Sequence, residues 1–428
     1  MPVGPGYRPD PRFAALGDEF YDPVEPAAFP ASILRYRNQA AARTVGLGEL
    51  SPDEWLAAFA RFEPLPGQPG PLAMRYHGHQ FRSYNPDLGD GRGFLAAQLR
   101  ETGSGRLLDL GTKGSGKTPW SRTADGRLTL KGGLREVLAA TMLEALGVPT
   151  SRAFSLVETG EALHRGDEPS PTRSSVLVRL QHSHIRFGTF QRLAFLNRPD
   201  LVRTLTDHVI ETYHPAVEGP AGMLTAIVAA TAKMTAAWMA AGFVHGVLNT
   251  DNMNVTGESF DYGPWRFLPR NDPGFTAAYF DQTGLYSFGR QPEAVFWNLQ
   301  QLAGCLVLVS EQAPLVEALN GFGPAYREAL TEAVLRRLGL KSGGPQADIE
   351  LVNAAFRALA EGGETLRWEP FFFDWFGGKA SEGRALSGPR AALYGEPAFT
   401  AFREHLAGAE PDRPERLTAD YFHRREPE

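Results

Sequence analysis

The 428-residue sequence predicts an α+β chain of two lobes, a β-rich small lobe and a mainly helical large lobe, with an N-terminal extension packed on the body. Three observations predict it. The length exceeds what one core of usual size organises. Short alternating strand patterns separated by glycine turns fill residues 71–195. From about residue 199 onward, apolar residues recur at helical spacing.

Residues 1–70 are rich in proline and aromatics, with two short helical patterns at 33–42 and 53–62, and read as a segment that wraps the body. In residues 71–195, Gly89-Asp90-Gly91-Arg92-Gly93 precedes a strand over 94–99. Gly103 to Arg106 then turns into a second strand over 107–110. Glycines so spaced let backbone amides approach a phosphate, although hairpin tips carry them as well. A helix opens at Leu134 and stops before Gly147 and Pro149, and residues 174–181 alternate as a strand interrupted by Arg179. The remaining residues, 196–428, form the large lobe, with helices expected over 199–217, 220–241, 294–310, 324–338 and 347–360. The aromatic tail from Trp368 fits no period.

Composition removes several classes of function. A net charge of −6 in mixed signs lacks the basic stripe that nucleic acid demands, so no nucleic-acid partner is expected. Cys305 is the single cysteine, which excludes an intramolecular disulfide and a cysteine metal cage and suits a packed thiol. The long apolar stretch at 221–244 carries Lys233 and several threonines, so it reads as a buried helix rather than a membrane span. The first residues show neither a signal core nor a basic amphipathic presequence, and a cytoplasmic protein is expected.

Residues 245–263 crowd polar groups behind that helix: His-Gly-Val-Leu-Asn-Thr-Asp-Asn-Met-Asn-Val-Thr-Gly-Glu-Ser-Phe-Asp-Tyr-Gly. Protein kinases place His-x-Asp-x-x-x-x-Asn in the catalytic loop and a second metal-holding Asp in Asp-Phe-Gly. On that spacing His245 and Asn252 fall in place, and Asp261-Tyr262-Gly263 supplies the second motif. The proton-accepting Asp, however, is replaced by Val247, while Asp251 adds a carboxylate that the kinase pattern does not require. Upstream, Lys113 and Glu136 match the small-lobe device in which a strand lysine meets phosphates and a helix glutamate orients it. Singly, each would read as an ordinary solvated residue. Arg179 and Arg186 each need an anion, either a structural carboxylate or phosphate oxygens. Gly111 to Thr118 also satisfies the P-loop expression, but Pro119 to Gly126 leaves no room for the helix a P-loop needs.

These residues, with the words Tyr-His-Gly-His-Gln-Phe at 76–81, Leu-Gly-Asp-Gly-Arg at 88–92, Lys-Gly-Ser-Gly-Lys-Thr-Pro-Trp-Ser-Arg at 113–122 and Ser-His-Ile-Arg-Phe-Gly-Thr-Phe at 183–190, make the chain resemble the selenoprotein O family of kinase-like adenylyltransferases. The resemblance implies a bilobal protein-kinase-like fold that binds ATP end for end and transfers AMP to Ser, Thr or Tyr hydroxyls of proteins, itself included, with release of pyrophosphate. It also implies roles. Lys113, Arg179 and Arg186 would hold the outer phosphates, with Glu136 orienting Lys113. Gly89, Gly91, Arg92, Asp125 and Gly126 would line the nucleotide pocket. Asn252 and Asp261 would hold Mg²⁺ or Mn²⁺, and Asp251 would accept the proton. Two alternatives stand beside this reading: a kinase transferring the γ-phosphoryl group with Asp251 as base, and a catalytically silent nucleotide-binding scaffold. The sequence departs from the family in lacking its Asn-Pro-Lys-Tyr-x-x-Arg-Asn word and a cysteine near the C-terminus, which leaves redox control through that cysteine unsupported.

Overall fold

The computed structural model describes residues 3–425. Its first half is built on one eight-stranded antiparallel sheet. The strands are β1 (Tyr21–Pro23), β2 (Ile33–Arg37), β3 (Leu72–Met74), β6 (Leu95–Arg100), β7 (Leu107–Lys113), β8 (Leu128–Thr129), β9 (Arg152–Leu163) and β10 (Thr172–Gln181). They run in the order β1-β3-β6-β7-β10-β9-β2, with β8 pairing onto β10. A separate hairpin, β4 (Gly78–Gln80) with β5 (Ser83–Asn85), stands off the sheet.

Residues 3–70 are more than a wrapping: they supply both outer strands, β1 against β3 and β2 against β9. The helical pattern expected over 33–42 is therefore corrected. Ile33 to Arg37 is a strand, because its side chains alternate and β9 offers an open edge, and only α1 (Gln39–Thr44), capped by Asn38, is helical. The second expected helix is α2 (Pro52–Phe59), begun by Ser51 and Glu54 in a capping box. Trp55 and Phe59 of α2 stack on Phe154 of β9, tying this segment to the back of the sheet.

The front of the sheet carries α3 (Leu130–Ala145). Helices α4 (Phe187–Phe195), α5 (Pro199–Tyr213) and α6 (Gly219–Ala240) follow β10, and α7 (Gln291–Leu306), α8 (Gln312–Asn320), α9 (Phe322–Leu338), α10 (Pro345–Glu361) and α11 (Trp368–Asp374) complete the helical portion with short turns beyond. Helix α6 is long and apolar enough to cross a membrane, but 72% of its apolar window is buried inside the protein and Lys233 lies on its exposed side. It is the axis of the helical portion, packing on α7, α8 and α9. Its Met223, Leu224, Ile227, Trp238 and neighbours join one apolar core with Leu177 and Leu156 of the sheet, so the two halves share a core. Cys305 is buried on α7, and burial raises its thiol to about 12, as a packed group. After α6, the chain forms β11 (Phe243–Val244), runs through the polar stretch, and returns as β12 (Arg266–Phe267) paired with β11.

Candidate active site

The site lies where the sheet meets the loop between β11 and β12, around a cavity of about 320 Å³, within the usual range for small-molecule sites. Strand β7 ends at Lys113, inside the sheet. Its ammonium bonds Glu136 Oε1 from α3 at 2.5 Å and also contacts the Asp261 carboxylate. The neighbouring strand β10 brings Arg179, whose Nη1 lies 3.4 Å from Asp261 Oδ1 and 3.8 Å from Glu136 Oε2. Arg186, at the start of α4, donates from Nη1 to the carbonyl of Asp251 at 2.5 Å and stands 3.5 Å from Asp90 Oδ1. Its guanidinium is sandwiched by the rings of Tyr76 at 4.6 Å and Phe260 at 4.8 Å.

The lower wall comes from the polar loop. His245, fully buried, uses Nε2 on the carbonyl of Phe260, which fixes the backbone just before Asp261. Asp261 has φ 64°, a left-handed conformation that non-glycine residues adopt only when their surroundings enforce it. Its neighbour Tyr262 is anchored in the core, with its hydroxyl 2.5 Å from Thr150 Oγ1. Burial acts to raise the Asp261 carboxyl, but Lys113, Arg179, Arg186 and Arg92 outweigh it and hold the group well below the usual carboxylate range. Asp251 is the opposite case. Burial pushes its carboxyl up to about 6 against the pull of Arg186, and its Oδ1 is buried with no hydrogen-bond partner among the described residues. Asn252 donates its side-chain N–H to the Val247 carbonyl at 3.0 Å, leaving its amide oxygen uncommitted.

Gly89, Gly91, Arg92, Lys113, Arg179, Arg186, Asp251 and Asp261 all line the cavity, and Glu136 bonds the lining Lys113 from behind, whereas Asn252 is not among the lining residues. Asp125 and Gly126 are not among its walls. Arg165 takes the Asp125 carboxylate at 2.8 Å, and the Gly126 carbonyl accepts the N–H of Gly116. The glycine loop is cut to fit its own chain: a Cβ at Gly89 would fall 2.4 Å from the Trp120 ring. As the spacing predicts, no helix springs from Lys117-Thr118. Gly111, the first glycine of that P-loop expression, sits inside β7, where a Cβ would come within 2.3 Å of the His184 ring. Reasoning from single residues passed over Tyr76, Asp90, Trp120, Arg122 and His184, which also line the cavity. All five fall inside the sequence words at 76–81, 88–92, 113–122 and 183–190, and that was the available signal.

No group of three or more His, Cys, Asp or Glu side chains could hold a metal among the described residues. The residues assigned to a metal are Asp261, in the cavity wall, and Asn252, next in the chain to Asp251 of that wall. That set is all-oxygen and suits Mg²⁺, which takes one or two carboxylates together with substrate phosphates. The Asp261 carboxylate, held ionised by the cationic side chains around it, is the observation that favours such a cation.

A comparison with known families decides what this cavity belongs to. The family model described as "Protein adenylyltransferase SelO" matches residues 7–381. The chain belongs to the SelO family. Among curated SelO-family relatives, the "Protein nucleotidyltransferase YdiU" of Synechococcus elongatus is 54% identical over 339 residues, covering 78% of this chain and 68% of the relative. The protein of the same name from Synechocystis is 51% identical, covering 82% and 76%, and that from Pseudomonas entomophila is 39% identical, covering 83% and 73%. The chain is thus a nucleotidyltransferase of the SelO type, a protein adenylyltransferase whose substrates are ATP and proteins.

Proposed function

We propose that this cavity transfers AMP from ATP to Ser, Thr or Tyr hydroxyls of proteins, the chain itself among them, with the nucleotide turned so that its α-phosphate faces Asp251. One observation carries the reading: a single cavity gathers Lys113, Arg179 and Arg186 with the Asp251 carboxylate, whose Oδ1 is buried and unpartnered among the described residues. The acceptor oxygen attacks the α-phosphorus and forms a new P–O bond. The bond from that phosphorus to the α,β-bridging oxygen breaks, and pyrophosphate leaves. Asp251 takes the hydroxyl proton, a role suited to a group titrating near 6. Charge gathers on the departing pyrophosphate, and three fixed cations neutralise it better than one. Lys113, held by Glu136, exchanges the Asp261 carboxylate for phosphate oxygens when ATP enters. Arg186 orients Asp251 through the loop carbonyl. Asn252 and Asp261 would hold Mg²⁺, whose part is to neutralise phosphate charge. Asp125 and Gly126 meet the nucleotide only if the turn that carries them moves inward.

This reading makes Val247 intelligible, because a γ-phosphoryl base is not needed at that position. It also treats residues 71–195 and 196–428 as the two lobes of a kinase-like fold. The test is ATP labelled separately at the α- and γ-phosphorus, with Mg²⁺ or Mn²⁺. Label reaching protein from the α position alone is expected, and is lost in Asp251→Ala. Label arriving from the γ position would mean phosphorylation and would overturn the proposal.

A further inference from the structure

The β4–β5 hairpin joins the catalytic loop to the surface. At its inner end, Gly78 leaves no room for a Cβ to be added without coming 3.2 Å from Asp251 Oδ1. Next along, the His79 N–H bonds Thr250 Oγ1 at 2.7 Å and the Phe81 N–H bonds Asn249 Oδ1 at 3.1 Å. Asn249 also accepts the Tyr286 hydroxyl at 2.9 Å. Gln80 still lines the cavity, and its neighbour Phe81 is partly exposed at the surface.

The two residues at the tip, Phe81 and Arg82, have φ 49° and 63°. A two-residue hairpin turn with both φ positive favours Asn-Gly, and a phenylalanine there is under backbone strain. Such strain persists where the surrounding structure enforces it, and it concentrates at functional sites. Phe81 is 36% exposed, and its ring lies 5.8 Å from Phe280, which in turn lies 5.1 Å from Tyr279. Phe280 is 47% exposed and Tyr279 82% exposed. Single apolar side chains at a surface are ordinary, but a run of three exposed aromatic rings, Phe280 touching both others, next to a residue that lines a catalytic cavity marks an interaction site. Aromatic rings are also the side chains that most often dominate binding at protein interfaces.

We propose that Phe81, Tyr279 and Phe280 are the platform on which the acceptor protein docks. The platform selects an extended segment bearing a large apolar side chain close to the acceptor hydroxyl. The spacing follows from the hairpin: Phe81 lies three residues from Gly78, two strand steps and one into the turn, up to about 10 Å, the span of about three residues in an extended acceptor. The proposal rests on Asp251 as the group that receives the acceptor proton.

The experiment uses the full chain and an arrayed panel of peptides, each with one central serine. One position at a time, from three before to three after it, carries Phe, Leu, Ser or Asp in a constant background. Peptide binding is read by fluorescence anisotropy, and transfer by label from the α-phosphorus of ATP. The wild type is expected to bind and label Phe- or Leu-bearing peptides best at one or more of those positions. Tyr279→Ser/Phe280→Ser is expected to lose that preference, with KM for the best peptide raised about tenfold and kcat little changed. Its ATP affinity and melting temperature serve as controls for an intact cavity. A wild type indifferent to apolar residues at every position, or a double variant that keeps the preference, overturns the platform. An apolar preference in binding with no α-label in any acceptor would instead sink the adenylyl-transfer reading and leave the platform standing, so the two failures are distinguishable.

Discussion

Replacing Asp251 with asparagine should make the protein more stable and less active at once. The half-buried side chain lines the cavity, its Oδ1 is buried with no partner among the described residues, and its titration is displaced from 3.8 to about 6. A carboxyl whose folded-state value is raised holds its proton to higher pH than the unfolded chain does. Its penalty is therefore absent below about pH 3.8, grows as pH rises, and is complete above about 6. The displacement corresponds to a ceiling of about 3 kcal/mol at pH 8. Asparagine keeps the size and removes the charge, so Asp251→Asn should recover much of that energy in metal-free protein at pH 8 and almost none at pH 4. Loss of the proton acceptor should meanwhile slow AMP transfer by roughly 100- to 10,000-fold. Urea unfolding in a chelator at the two pH values, paired with α-label transfer, checks both halves. Equal unfolding midpoints for the two proteins at pH 8, or transfer within a few-fold of wild type, would refute the reasoning.

Three further outcomes follow from the same structure. Glu258 accepts the His182 N–H at 2.8 Å, and burial raises its carboxyl from 4.5 to about 7. Stability should therefore fall as pH climbs from 4.5 through 7, and Glu258→Gln should flatten that fall by up to about 3 kcal/mol in pH-dependent unfolding. Arg186→Met should strand the Asp90 carboxylate and free the Asp251 carbonyl, lowering stability by about 3 kcal/mol or more together with α-label transfer. Retained transfer in that variant would remove Arg186 from the site. Gly111→Ala should be poorly tolerated, since the new methyl meets His184 at 2.3 Å. Soluble expression with a wild-type melting curve would show that the ring can give way.

How much of this was legible before the structure depended on the kind of signal. The helices α5, α6, α7, α9 and α10 were found within a few residues, α5 and α10 from one apolar face and α6 from an apolar run buried on most sides. Strand β9 was missed, although it is the longest in the sheet. Its Val-Glu-Thr-Gly-Glu stretch mixes polar and small residues, and only pairing with β10 and β2 makes it a strand. Helix α4 was missed because it is a single short stretch behind Arg186, and the strand at 33–37 was read as helical because its neighbour α1 continues the pattern. The site itself was far more readable. Lys113, Glu136, Arg179, Asp251 and Asp261 come from four separate segments, and the kinase spacing picked out Lys113 with Glu136 and the loop that carries both aspartates, while Arg179 stood out as a charge in need of an anion. Asp125 and Gly126 show the limit of that reasoning. Motif position did not reveal that Arg165, in the turn just past β9, would claim the Asp125 carboxylate.

The most direct test is a structure of the chain with Mg²⁺ and an ATP analogue that cannot be cleaved between the α- and β-phosphorus. The account predicts the α-phosphate beside Asp251 and the β- and γ-phosphates on Lys113, Arg179 and Arg186. A γ-phosphate facing Asp251, with the adenosine end turned the other way, would contradict it.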